Sequence, residues 1–134
     1  MTGMSAVIIY AGWMLVLTFI YVGYRVGLVL IGRKKANAWT RGQATDDPGF
    51  ITRAQHAHMN CVENFPIFAA LVFAAAFLSK SAVVNDVALY VIILRLAQSI
   101  VHLIGTSHWL VFIRANLFVL QLLIYVCIIY RLVA

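Results

Sequence analysis

Apolar positions gather into four long runs, separated by brief polar interruptions. Each run is too long and too unbroken for a strand. The pattern predicts helices over about residues 5–31, 50–79, 84–105 and 109–132, each able to cross a hydrocarbon core of about 30 Å. No Lys or Arg precedes the first run, and the run is too long for the apolar region of a cleaved signal peptide, so it reads as a span. The chain, residues 1–134, thus reads as one membrane domain, an all-α bundle of four transmembrane helices.

Two departures from uniform apolarity stand out. The second run opens on RAQHAHMNCVENFP, from Arg53 to Pro66. At 100° per residue, Arg53, His56, Asn60 and Glu63 fall within an arc of roughly 80°, extended by Asn64 and Ile67, with His58 almost opposite. On the third run Arg95, Gln98, Ser99, His102 and Thr106 share an arc of roughly 100°. Polar stripes on membrane helices face a bundle interior or a cavity, or they hydrogen-bond neighbouring helices together. Two matched stripes predict that they face each other or a common cavity. Arg114, Phe118, Gln121 and Tyr125 line one side of the fourth run. Pro66 has no N–H for the Val62 carbonyl and predicts a kink. Gly23 and Gly27 have the spacing that permits close helix approach.

Composition agrees with the pattern. Hydrophobic residues make up 64% of the chain and charged ones 10%, against about 25% charged in a soluble domain. The mean hydropathy is +0.97. The net charge of +6 is too dispersed for a nucleic-acid surface and fits basic residues at lipid headgroups. Arg33, Lys34, Lys35 and Arg41 cluster in the first loop with Trp39, an interfacial residue. By the positive-inside rule that loop and the third are cytoplasmic, and both termini and the second loop lie outside. Cys61 and Cys127 sit in apolar runs without metal or disulfide spacing and read as small buried residues.

The stripes set Arg53, Arg95 and Arg114 against a single carboxylate, Glu63. Surplus guanidinium charge away from water needs an anionic partner, a carboxylate-bearing small molecule or a lipid headgroup. Asn60 and Gln98 both donate and accept, which suits an amide-bearing ligand. No Ser–His–Asp set, glycine-rich phosphate loop or metal-ligand spacing is present. A transporter is disfavoured too, since neither broken helices nor an inverted repeat is visible.

Ala57-His58, Asn60, Glu63, Asn64 and Pro66 resemble the second-helix signature of the MAPEG family, the membrane-associated proteins in eicosanoid and glutathione metabolism. The basic RKKA after the first span, Arg95 in the third and Arg114 opening the fourth extend the resemblance over nearly the whole chain. The resemblance is to bacterial-type microsomal glutathione transferases. It implies a homotrimer in the bacterial inner membrane, with glutathione as co-substrate between protomers near the cytoplasmic face and a lipophilic substrate arriving from the bilayer. It also implies that Arg53, His56, Asn60, Glu63, Arg95, Gln98 and His102 line the glutathione site, with Arg114 as the catalytic group beside the thiol. A nearby guanidinium lowers a thiol pKa from about 8.5 and raises the thiolate fraction. The implied activity is that of a transferase, or of a peroxidase by the same thiolate. A lipid-binding or scaffold protein without catalysis is the alternative within the fold.

Met59 and His56 stand where glutathione-using relatives carry Arg. His102 and Ala115 stand where the prostaglandin E synthase pattern has Tyr and Ser. These departures point away from prostaglandin synthesis.

Overall fold

The computed structural model describes residues 1–134. Four helices follow one another: α1 (Gly3–Leu30), α2 (Gly49–Phe77), α3 (Ser81–Ile104) and α4 (His108–Val133). All four are long and apolar enough to cross a membrane, so the four-span fold class that the hydrophobic pattern predicts is the one adopted. Many large apolar side chains point out of the bundle, Phe19, Phe77, Trp109 and Tyr130 among them. In water this would be untenable; in lipid it is the expected surface.

Local chemistry sets the helix ends. The Thr2 hydroxyl accepts from the Ser5 backbone N–H at 3.1 Å and caps α1. Gly32, at φ 74°, turns the chain out of α1. Gly32 and Arg33 then donate backbone hydrogen bonds to the Val29 and Leu28 carbonyls, a Schellman closure. The same closure ends α2, where Ser79 and Lys80 donate to Ala76 and Ala75. There the left-handed position (φ 54°) is held by Ser79 instead of a glycine.

α2 packs against each of the other three helices, while α1 and α4 do not touch. Small buried residues, Ala54, Ala57, Cys61 and Ala88, let the central helices approach closely. Tyr10, Phe68 and Tyr125 form an aromatic row across α1, α2 and α4, with ring centroids 6.2 and 5.9 Å apart. The Gly23/Gly27 pair does not mediate helix contact within the chain: a Cβ on either would meet nothing within 4 Å. The close approach is instead at Gly3, where a Cβ would lie 2.9 Å from Val84. The spacing marked a permissive surface of α1, but packing is decided by which surface faces α2.

Helical assignment continues through Pro66. The carbonyls just before Val62 receive side-chain donors, Asn64 Nδ2 to Asn60 at 2.9 Å and the Tyr10 hydroxyl to Cys61 at 3.3 Å.

The end bearing loop 2 and both termini is tied by polar contacts. The Gly3 N–H donates to Asn85 Oδ1 at 2.7 Å, and Lys80 Nζ to the Leu132 carbonyl at 3.0 Å. At the other end Arg53 Nε donates to the Leu103 carbonyl at 2.9 Å, joining the start of α2 to the end of α3. Loop 1 (residues 31–48) is fastened by Arg25. Its guanidinium donates twice to Asp47 Oδ2, at 2.9 and 2.7 Å, and once to Gln55 Oε1 at 2.7 Å. Trp39 Nε1 donates to the other Asp47 oxygen at 2.9 Å.

Candidate functional site

The α2 stripe straddles the boundary of the protomer. Its inner edge, Asn64, is buried, and Arg53 and Asn60 are half-buried. Its outer edge, His56 and Glu63, is exposed. Glu63 has neither a hydrogen-bond nor a salt-bridge partner, although Asp46, Asp47 and Asp86 are all ion-paired. Seven residues beyond His56, it lies about 10 Å further along the helix. A carboxylate at that depth, facing out of a single protomer, lacks the partner that ionisable groups in membranes ordinarily have.

Along α3 itself the stripe faces inward, with Arg95, Gln98, Ser99 and His102 all buried. Thr106, expected on the same arc, lies past the helix end at Ile104 and is exposed. Arg95, 2% exposed, is the largest fully buried side chain. Its Nη1 donates to Asn60 Oδ1 at 2.5 Å and its Nη2 to Gln121 Oε1 at 2.6 Å. Gln121 Nε2 in turn donates to the Tyr125 hydroxyl at 2.6 Å. The Arg95 guanidinium carbon sits 5.4 Å from the Tyr10 ring centre, a cation–π contact worth most where water is absent. Arg95 Nε and Gln98 Oε1 are buried without a partner. They are a donor and an acceptor one helical turn apart, the complement of an amide or a water molecule.

A second group gathers where α2 begins, α3 ends and α4 begins. The His56 and His102 rings are 6.2 Å apart, and Arg53, His56 and Arg114 all lie within electrostatic reach of His102. Gly49 leaves room for Arg53: a Cβ there would come within 3.1 Å of Nη1. Arg114 is half-buried and makes no ion pair. Basic groups from three helices therefore converge with no acid among them, an arrangement that favours an anion.

The structure brings Arg53, His56, His102 and Arg114 together. Asn60, Arg95 and Gln98 sit deeper, and Glu63 stands outside. Tyr10 as a partner of Arg95 is not visible in the sequence, because nothing in an apolar α1 pattern marks which ring lies over a cation. Gln121 and Tyr125 are marked only as neighbours on one face of α4. The signal for Asp47 is present in the chain: an arginine two turns inside a span requires an acid, and the acids of loop 1 are the nearest in sequence.

Four membrane-crossing helices around a buried arginine network, with a cationic cluster at one end, define a polytopic membrane protein with an anion-accepting polar site. The MAPEG family profile matches residues 4–134, and the chain belongs to that family of membrane proteins of eicosanoid and glutathione metabolism. No curated protein and no solved structure matches the chain significantly.

Proposed function

We propose that the protein is a membrane-embedded glutathione transferase of the bacterial microsomal type, acting as a homotrimer on lipophilic electrophiles. Glutathione lies between protomers at the loop-1 face, which is cytoplasmic. The observation that carries this reading is the acid-free cluster of Arg53, His56, His102 and Arg114, with the outward, unpartnered Glu63 about 10 Å further along α2. Glutathione has carboxylates for the cluster and an ammonium for Glu63, and a neighbouring protomer would close the site over it.

Arg114 is half-buried and not engaged by any acid, so its charge is free to hold a thiolate. The thiolate sulfur attacks the electrophilic carbon, the C–S bond forms and the leaving group departs with its electron pair. With a hydroperoxide the same thiolate attacks the terminal oxygen, the O–O bond breaks and the alcohol leaves. A second glutathione thiol then displaces water from the resulting sulfenic acid to give the disulfide, a peroxidase side activity.

The purified protein in detergent is expected to conjugate glutathione to a chloronitroaryl electrophile and to show thiolate absorbance at about 240 nm with millimolar glutathione. Absence of both signals overturns the reading.

One observation favours a second reading, a lipid-binding protein that uses the same cavity without catalysis. Arg95 donates to both Asn60 and Gln121, which leaves fewer donors for a tripeptide. A thiolate signal separates the two readings.

A further inference from the structure

Two hollows meet where loop 1 lies against α1 and the first turns of α2. Between loop 1 and the first turns of α2 opens a polar cavity of about 310 Å³, in which Trp39 is the only hydrophobic lining residue. Beneath loop 1, along α1, runs a groove of about 280 Å³ lined by Val22, Val26, Val29, Leu30 and Ala36. Arg25 and Trp39 line both. They form the common wall between a wet compartment and a greasy one.

That wall is held rigidly. The Arg25 guanidinium lies 5.5 Å from the Trp39 ring centre, and Asp47 receives hydrogen bonds from both side chains. Trp side chains settle where headgroups meet hydrocarbon, so the cavity lies on the headgroup side of Trp39 and the groove on the acyl side. Charge is complementary as well. Asp46 and Asp47, the acids of loop 1, are taken by Lys34 and Arg25. No acid lines either hollow, while Arg41 and His56 line the cavity without an ion-pair partner.

We propose that the cavity and groove that meet at Arg25 and Trp39 form one site for an anionic phospholipid, its phosphate against Arg41 and an acyl chain along Val22, Val26 and Val29. The cavity alone would suit any small phosphate. The apolar groove on the other side of the shared Arg25–Trp39 wall selects an amphiphile that straddles it, and the unpaired basic charge selects an anionic one. Preorganisation by the Arg25–Asp47–Trp39 clasp limits the ordering cost of binding. Only His56 is shared with the residues assigned to glutathione, so the two proposals fail independently.

Native mass spectrometry of the detergent-solubilised assembly, with phosphatidylglycerol and phosphatidylcholine of identical chains, tests the site. Phosphatidylglycerol is expected to be retained in preference. Arg41→Gln should lower that preference about fivefold, the worth of one basic side chain at an anionic surface. Arg33→Gln, in the same loop but outside the cavity, should leave it in place. Val26→Trp, at a position already facing lipid, should fill the groove and remove the retained lipid. Glycerol phosphate, the headgroup without chains, should not bind measurably. Equal retention of the two lipids overturns the proposal. So does an equal fall with Arg33→Gln and Arg41→Gln, which marks diffuse attraction to loop 1. Undiminished retention by Val26→Trp, or binding of glycerol phosphate comparable to that of the lipid, also overturns it.

Discussion

Arg95 shows how a single charge organises the interior. Its two terminal nitrogens are held by Asn60 and Gln121, and Tyr10 lies against its plane. Removing a hydrogen-bond partner of a buried charge costs about 1.5–3 kcal/mol, more than the ~0.6 kcal/mol of an average polar contact between membrane helices. Gln121→Leu is therefore expected to lower the thermal midpoint in detergent sharply. Gln121→Glu, which keeps an acceptor for Arg95, should not. Arg114 acts at the opposite extreme, with its charge unclaimed. Under the transferase reading Arg114→Ala should reduce kcat about tenfold to a hundredfold at saturating glutathione, the worth of one charge-assisted contact to the reacting sulfur. Glu63→Gln should mainly raise the glutathione KM. Full turnover by Arg114→Ala would remove Arg114 as the thiolate's partner without removing the enzyme. The polar residues of α3 could be picked out from their spacing, since an arc of polar side chains on an apolar helix is costly in lipid unless it turns toward protein. Their partners could not. Tyr10, whose ring lies against Arg95, and Cys61, whose Sγ lies 3.6 Å from Ser99 Oγ, carry no mark of these contacts in the sequence. Pairing across helices depends on rotation angles that composition does not encode.

At the scale of elements, loop 1 and the α2 terminus are the informative segments. The two neighbouring acids of loop 1 differ in what they hold. Asp47 joins α1, loop 1 and, through Arg25, α2, and its side chain is 1% exposed. Asp46 meets Lys34 on the surface, 74% exposed. The hydrogen bond from Lys34, followed by Asp46's own backbone N–H and the Lys34 charge, keeps the Asp46 carboxyl below its ordinary range. A depressed carboxylate pKa stabilises the fold above the unfolded value and loses that contribution as pH falls through the folded value. Any loosening from Asp46 is thus confined to pH below about 4. Because an exposed ion pair contributes little while Asp47 is buried against Arg25, limited proteolysis at neutral pH should cut loop 1 faster in Asp47→Asn and leave Asp46→Asn near wild type. Ser79 offers a stabilising change. A left-handed conformation costs a non-glycine residue about 1 kcal/mol, so Ser79→Gly should raise the thermal midpoint modestly. A lower midpoint would mean that the serine side chain contributes more than the backbone strain removes. The basic loop is evident from its charge. That Asp47 serves Arg25 is a tertiary fact.

For the whole molecule, number and length of spans follow directly from hydropathy, because the bilayer imposes a length that soluble folds lack. Assembly does not follow in this way. The exposed outer edge of the α2 stripe is what supports an inter-subunit site, and native mass spectrometry in mild detergent is expected to give a three-subunit species. A clean monomer or dimer would count against it. Orientation is tested separately. In a background lacking Cys61 and Cys127, a single cysteine at Asn37 should react with an impermeant reagent only after permeabilisation. Reaction in intact cells would invert the topology.

The Arg25 clasp also bears on how the chain enters the bilayer. Synthesis proceeds from the N-terminus, so Arg25 is delivered before Asp47 and Gln55, its partners 22 and 30 residues later, have been made. An unmatched arginine disfavours insertion by about 3 kcal/mol at the centre of a span and less near its end. α1 by itself is consequently an incomplete insertion unit. Its charge is matched only when loop 1 has folded back and α2 has followed, which makes the α1–α2 hairpin the smallest piece that leaves the insertion machinery electrically settled.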